Sequence, residues 1–405
     1  MSKKNDDFFK EKKPWSEVKD QLLGCYFKPY LLKILQTKKP VVYVDCFAGK
    51  GKFEDGNPGS PLIALGIIDE CLASTNTGAP QISTTFIDVN YAEDLKRNIG
   101  IRNNSRIVSG KYEEQITEIL KGKAGCNVFL YIDPYGIKAL KYSMFNSFAK
   151  GAYNSIELLI NMNSFGFIRE ACHALGAKLE LDDSNLFDDL IEYAPAKMDA
   201  SNKSIEDLNE IAGGDYWKAI IQDLKANKID GYQAEELFAA QYCQELMRCF
   251  KFVLNMPLRI KQGQRPKYRM IHATNHQDGC LLMVDNICNR WEAWHEVQNA
   301  GQMSLFEEDA NNQIVDESEI EAKMMSFFSR LHGNYVSLHM ALAYFFMQYG
   351  PLCKSGVIKQ KLKDFEKRGL LLVERDPKTT PTGRPATFMD EKTNQKKVMI
   401  KWANK

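Results

Sequence analysis

Val41-Val42-Tyr43-Val44-Asp45-Cys46-Phe47-Ala48-Gly49-Lys50-Gly51 decides the fold of this chain. Its first four residues are β-branched or aromatic and predict a buried strand. The strand runs into a carboxylate and then into a glycine-rich turn. Glycines there let the backbone approach a ligand closely, and a carboxylate at the strand end can meet an amino or ammonium group of that ligand. The spacing matches neither the dinucleotide fingerprint nor the phosphate-binding P-loop. Taken alone, the same residues also describe a tight turn capped by Asp45, and only the rest of the chain separates the two readings.

Upstream, PWSEVKDQLLGCYFKPYLLKIL (residues 14–35) carries apolar residues at helical spacing and reads as a helix broken near Pro29. Downstream, a helix-like segment from Pro61 to Leu72 precedes a strand over Ile82 to Asp88. Further strands are expected at Ser105 to Ser109, Asn127 to Ile132 and Ile156 to Asn161. Strands alternating with helices predict a parallel sheet, whose ligands sit at the carboxyl ends of the strands. Asp45, Asp88, Asp133 and Asn161 all fall there. An acidic residue ending the second strand, here Asp88, is where such sheets bind ribose hydroxyls.

Residues 165–245 read as a helical insertion. Two strands then come in direct succession, Lys251 to Leu258 and Tyr268 to Thr274, around the turn Gln262 to Pro266. Five parallel strands and a terminal hairpin are the inventory of one α/β class, the Rossmann-like class I S-adenosylmethionine methyltransferase fold. A mainly parallel seven-stranded sheet is therefore expected, with S-adenosylmethionine as cofactor. The cofactor residues would be Asp45, Phe47, Gly49, Gly51, Ser60 and Asp88.

Asp133-Pro134-Tyr135-Gly136 ends the fourth strand. Methyl transfer to nitrogen needs a group that accepts hydrogen bonds from an exocyclic amine and an aromatic face for the base. Asp133 and Tyr135 supply both, with Pro134 between them as the third candidate catalytic residue. The motif resembles the D-P-P-Y of amino-methyltransferases and, more closely, the D-P-F-G of tRNA guanine dimethyltransferases. A strand-end turn built by Pro134 and Gly136 is the competing reading.

At 405 residues the chain is long enough for two or three domains, and 44% hydrophobic with 26% charged residues is globular composition. The charged N-terminus lacks an apolar leader core and no stretch reaches the ~20 apolar residues of a membrane helix. A cytoplasmic protein is expected. Ten cysteines without a C-x-x-C pair, and a His272 that lies in a candidate strand, where residues four apart such as His276 are far separated, predict no metal site.

The formal net charge of +1 conceals an asymmetry: residues 307–321 carry −7 and residues 354–405 carry +8. We expect a methyltransferase-like domain over 1–300, an acidic linker over 301–317 and a winged helix-turn-helix over 318–405. In the last, a helix begins at Ser318 with a capping box to Glu321. A second spans Val336 to Tyr349 and a third Ser355 to Arg368. Strands are expected at Leu370 to Arg375 and Thr387 to Trp402. Lys359, Lys363, Lys367, Arg375, Lys378 and Arg384 would face a polyanion, DNA rather than RNA. The alternative is a Lys-rich surface that serves solubility or balances the acidic linker.

PWSEVKDQLLGCYF, DCFAGKGKFEDGNPGSPLIAL, FIDVN, IDPYG, GGDYW and YRMIHATNHQDGCLLM together resemble the three-Cys-motif partner (TcmP) family of bacteria over roughly residues 14–300. The basic C-terminal stretch looks like the winged helix often attached to that family. The resemblance implies a methyltransferase-like fold encoded beside a radical-enzyme-like protein with three cysteines. Carried over residue by residue, it points to Asp45, Gly49, Gly51, Ser60, Asp88, Asp133 and Tyr135. Finally, Gln302-Met303-Ser304-Leu305-Phe306 resembles the Gln-Leu-Ser-Leu-Phe peptide that docks on bacterial sliding clamps. Gln302, Leu305 and Phe306 are therefore candidate partner contacts. The leading expectation is a nucleic-acid methyltransferase. The alternative is a non-catalytic adaptor that brings its partner to DNA in repair or phage-defence-like processing.

Overall fold

The computed structural model describes residues 6–75, 80–181, 202–258, 268–299, 317–392 and 395–403. The chain divides into two compact units, Met1–Asn275 and His276–Lys405. The linker peptide with Gln302, Leu305 and Phe306, and the turn at Gln262 to Pro266, lie outside the described residues.

In the first unit seven strands form one sheet: β1 Val41–Asp45, β2 Ile82–Asp88, β3 Ser105–Ser109, β4 Asn127–Ile132, β5 Ser155–Met162, β6 Phe252–Leu258 and β7 Tyr268–Thr274. Their order is β3-β2-β1-β4-β5-β7-β6. The first five run parallel, and β7 is antiparallel to both β5 and β6. This is the Rossmann-like, mostly parallel arrangement expected from the strand inventory. All five residues of β1 are buried because helices cover both faces of the sheet. Alternate side chains of a strand point to opposite faces. Tyr43 packs toward helix α1 (Pro14–Ile34), where its ring lies 4.8 Å from that of Phe27. Val42 and Val44 instead join the core that includes Ile132, Phe145, Phe167 and Trp217.

Helix α1 runs unbroken through Pro29, contrary to the expected break. Proline removes one helical hydrogen bond, but Tyr26, Phe27, Tyr30 and Leu31 around it are almost wholly buried. The Tyr30 and Phe129 rings lie 5.0 Å apart, and that packing outweighs the lost bond. Helices α2 Ser60–Ser74, α3 Ala92–Ile99, α4 Tyr112–Leu120 and α5 Tyr142–Ala149 connect the early strands. Between β5 and β6 lie α6 Ser164–Leu175, α7 Asn202–Ala212, α8 Trp217–Lys225 and α9 Gly231–Leu246. His272, on β7, is fully buried with its Nε2 3.0 Å from Glu157 Oε2.

The second unit begins earlier than residue 300, because α10 (Gln277–Asn299) belongs to it. Asp285 accepts from the Ser355 amide at 2.6 Å and from its hydroxyl at 2.8 Å, and Asp278 lies 2.7 Å from His339 Nδ1. Such contacts join residues 61 or more apart in sequence and leave no local trace. The unit continues with α11 Glu317–Phe328, β8 Val336–Ser337, α12 Leu338–Tyr349, α13 Ser355–Lys367, β9 Leu371–Asp376 and β10 Lys397–Trp402. The helix expected from Val336 starts at Leu338 instead. Val336 and Ser337 pair with Ile400 and Met399, and Ser337 Oγ caps α12 by accepting from the Met340 amide. The three strands form an antiparallel sheet in the order β8-β10-β9. No helix among the described residues is long and apolar enough to cross a membrane.

Candidate active site

Asp45 ends β1 with its carboxyl fully buried. Ser60 Oγ donates to one oxygen at 2.6 Å and the Phe47 amide to the other at 3.2 Å. Burial pushes this carboxyl up to about 7, against the pull of those two bonds. The loop beyond it is pinned at both ends: Cys46 N donates to Tyr131 O and Ala48 N to Ile87 O, each at 2.9 Å. Gly49 and Gly51 then take φ of +59° and +76°. A Cβ on Gly51 would lie 2.7 Å from Leu95 Cδ1, and one on Gly49 would lie 2.9 Å from Phe9 Cζ. Conformation and space both demand glycine at the two positions.

Asp88 holds that loop against β2. Its Oδ2 accepts from Gly49 N at 3.0 Å, while Oδ1 accepts from Asn90 N and Tyr91 N, both at 2.7 Å. A carboxylate offers about four acceptor sites, so roughly one stays open to a ligand hydroxyl.

Two cavities flank the end of β4. One of about 390 Å³ is lined by Asp88, Val89, Tyr112 and Ile137 among others, and lies within the ~300–1,000 Å³ range of small-molecule sites. The other, about 80 Å³, is lined by Ser16, Lys19, Asp20, Ser60, Asp133 and Asn161 among others. Phe47, Pro134, Tyr135 and Asn163 line both, so the strand-end motif forms the partition.

Asp133 is already engaged, contrary to the expectation that it awaits an acceptor amine. Lys19 Nζ donates to its two oxygens at 2.9 and 2.7 Å, and Asn161 Nδ2 donates to Oδ1 at 2.7 Å. The Lys19 ammonium also sits 5.6 Å from the Tyr268 ring centroid. Next to it, Asp20 pairs with Lys12 at 2.8 Å. Burial pushes Asp20 up to about 6, while Lys12 and then Lys19 pull it down.

A short 3-10 helix, Asp6–Phe9, roofs the glycine loop. Phe9 is buried with its ring edge-on to Tyr91 at 4.9 Å, and Phe8 meets Tyr135 edge-on at 5.8 Å. Glu54 N donates to Phe9 O at 2.8 Å and fastens the roof.

Asp45, Phe47, Gly49, Gly51, Ser60, Asp88, Asp133, Pro134 and Tyr135 therefore converge at the carboxyl edge of the sheet, and all of them line one or both cavities except the buried Asp45. Sequence reasoning missed Phe8, Phe9, Ser16, Lys19, Asp20 and Tyr268. One signal was available in α1. Ser16, Lys19 and Asp20 recur at i, i+3 and i+4, a polar stripe on a helix face that is buried. Among the described residues, no group of three or more His, Cys, Asp or Glu is arranged to hold a metal ion.

The basic residues of the second unit divide. Lys359 pairs with Asp390 at 2.6 Å with its side chain only 19% exposed. Arg375 donates to both Glu366 oxygens at 2.8 and 2.6 Å and to Phe388 O at 2.7 Å. These two tie elements together and do not project as expected. Lys367, Lys378 and Arg384 are exposed and Lys363 is half-buried. Arg375→Ala should accordingly cost roughly 2–3 kcal/mol in urea unfolding, the scale of lost hydrogen bonds to a charged group. Arg384→Ala should stay within about 0.5 kcal/mol.

No protein-family model matches the chain, and no curated protein matches it. Among solved structures, an Escherichia coli protein assigned as a methyltransferase, yhhF, aligns with 34% of this chain and 68% of its own at 18% identity, with a TM-score of 0.21. A loganic acid methyltransferase solved with SAH aligns with 74% of this chain and 88% of its own at 11% identity, with a TM-score of 0.30.

Proposed function

We propose that the first unit is an S-adenosylmethionine-dependent methyltransferase whose acceptor is a nitrogen of nucleic acid. The observation that carries this reading is the junction at Asp88. One carboxylate ends β2, tethers the glycine loop through Gly49 N and lines the 390 Å³ cavity. The residues fit the group: Asp88 for ribose hydroxyls, the larger cavity for the adenine, and the Gly49–Gly51 bend beside Ser60 for the amino-acid end. When bound, S-adenosylmethionine supplies an electrophilic methyl group. The chain's own part is orientation: Pro134 and Tyr135 stand between the larger cavity and the smaller one, and the smaller is shared by Gly49, Gly51, Ser60 and Asp133, so the amino-acid end of the cofactor and the acceptor would meet there, the acceptor at the Asp133 position that Lys19 and Asn161 leave open. Orientation alone can supply several kcal/mol of a barrier.

The second unit is read as a winged helix-turn-helix that brings Lys363, Lys367, Lys378 and Arg384 to a nucleic-acid backbone. A three-Cys-motif protein and the sliding clamp are the proposed protein partners. A second reading, a non-catalytic adaptor, is favoured by the Lys19–Asp133 pair, which occupies the acceptor residue. Transfer of labelled methyl from S-adenosylmethionine to nucleic acid, with the three-Cys partner present, separates the two. No transfer alongside intact cofactor binding gives the adaptor the lead.

Asp88→Ala should weaken S-adenosylmethionine binding by roughly 2–3 kcal/mol in isothermal titration, because a charged acceptor is lost and the loop is untethered. Unchanged affinity would remove Asp88 from the cofactor site.

A further inference from the structure

Gly49 keeps a space clear on the bend that the cofactor's amino-acid end would approach, and the chain itself fills that space. A Cβ on Gly49 would meet Phe9 Cζ at 2.9 Å and Phe9 Cε1 at 3.0 Å, with Tyr135 Oη beyond at 4.0 Å. The close approach that a glycine permits is thus made by the Phe9 ring. Phe8 and Phe9 also line the smaller cavity together with Gly49, Gly51 and Ser60. Beneath them the cavity keeps about 80 Å³, well short of the ~300–1,000 Å³ of small-molecule sites. It has no room for the cofactor's amino-acid end and an acceptor together.

The strap that carries these rings is fastened lightly. Phe9 is buried, yet its partners Phe8, Phe53 and Tyr91 form a small apolar cluster apart from the main core. The Phe9 ring lies 4.9 Å from Tyr91 and 5.8 Å from Phe53, and Phe8 lies 5.8 Å from both Phe53 and Tyr135. Asp6 meets Lys50 at 3.0 Å with its own side chain 62% exposed, a pair of little energetic weight. Glu54 N adds one backbone bond to Phe9 O at 2.8 Å. Lys12 is the firm anchor. Its amide donates to Asp55 Oδ2 and its Nζ to Pro58 O, and the same ammonium pairs with Asp20, each at 2.8 Å. A segment with so few buried apolar contacts opens at a free energy well below that of the whole domain.

We propose that residues 6–11 are a self-blocking strap: Phe9 occupies the place of the cofactor's amino-acid end, and the strap swings away about Lys12 when S-adenosylmethionine binds. The inference rests on the methyltransferase reading and names how that site is regulated. Strap and amino-acid end exclude each other, so the apparent affinity is reduced by the fraction of chains whose strap is open. Among the described residues, neither Phe8 nor Phe9 lines the larger cavity. A nucleoside without the amino-acid end can therefore bind with the strap in place.

Isothermal titration of the full chain with S-adenosylhomocysteine and with 5′-methylthioadenosine, which lacks the amino-acid end, reads this competition. Phe9→Ala should bind S-adenosylhomocysteine at least roughly 5-fold tighter than wild type, the lower end of usual coupling, and 5′-methylthioadenosine no tighter. Amide hydrogen exchange on wild type needs no variant. In the free chain the Glu54 amide, bonded to Phe9 O, should exchange faster than the Ala48 amide, bonded to Ile87 O, because only the strap has to open. Saturating S-adenosylhomocysteine should speed exchange at Glu54 further and slow it at Ala48. A strap that closes over its ligand would instead give weaker binding by Phe9→Ala and slower exchange at Glu54, and either result overturns the proposal. Equal protection of Glu54 and Ala48 in the free chain, or an equal gain for both nucleosides, overturns it too. If neither protein binds either nucleoside, the cofactor reading falls and this inference with it. If wild type binds both and Phe9→Ala binds S-adenosylhomocysteine no tighter, the inference alone falls.

Discussion

Asp133→Ala is expected to destabilise the folded chain by about 3–5 kcal/mol, the cost of stranding one charge of a buried pair. The Lys19 and Asp133 side chains are only 10% and 20% exposed, so solvent screens them little. Without Asp133 the Lys19 ammonium loses both of its carboxylate contacts, and the nearby Asp20 is already committed to Lys12. Lys19→Met should cost a similar amount by leaving Asp133 with Asn161 alone. The double variant Lys19→Met/Asp133→Leu should recover most of the loss, since apolar replacement of a whole buried pair is often neutral. Guanidinium unfolding of wild type, Lys19→Met, Asp133→Leu and the double variant measures the coupling. Losses that simply add would contradict the pairing. A further consequence is that lost activity in Asp133→Ala cannot by itself assign a catalytic role; Asp133→Asn, which still accepts from Lys19, is the better probe.

Asp45→Asn should do the opposite and stabilise the chain at alkaline pH. The folded-state carboxyl sits at about 7, above the ~3.9 of an unfolded aspartate. Between those values the native state holds more protons than the unfolded state, so stability falls as pH rises. The fall is up to about 1.4 kcal/mol per pH unit and roughly 4 kcal/mol in total by pH 8. The substituted amide has no charge to desolvate and removes that penalty. Phe47 N can still donate to the amide oxygen, and the Ser60 hydroxyl can turn to accept from the amide nitrogen. Asp20, raised to about 6 by burial, contributes a loss of the same sign, complete at lower pH, which the variant keeps. Denaturant titrations at about pH 4 and pH 8 should show near-equal stability at the first and a gain of about 4 kcal/mol at the second. A variant less stable than wild type at the higher pH would contradict the buried-carboxyl account.

The framework was legible because its signals are local. β1, β2 and β4 announce themselves as β-branched or aromatic runs ending in Asp45, Asp88 and just before Asp133, and the glycine bend comes directly after the first of them. Errors arose where distant residues decide. Pro29 reads as a helix breaker until Tyr26, Phe27 and Tyr30 are seen packed on the sheet. The Lys19–Asp133 pair joins residues 114 apart and has no local signature. Arg375 and Lys359 look like free cations until Glu366 and Asp390 fold against them. Residues 277–299 read as the end of the first domain because Asp278 and Asp285 show nothing of His339 and Ser355 in the sequence.

The central claim, a cofactor site built on Asp88 and the glycine loop, is tested most directly by a crystal structure of the full chain grown with saturating S-adenosylhomocysteine. The account expects the ribose hydroxyls on Asp88, the adenine in the cavity beside Val89 and Ile137, and the sulfur near the Gly49–Gly51 bend. Nucleoside density elsewhere, or an empty cavity at saturating ligand, would contradict it.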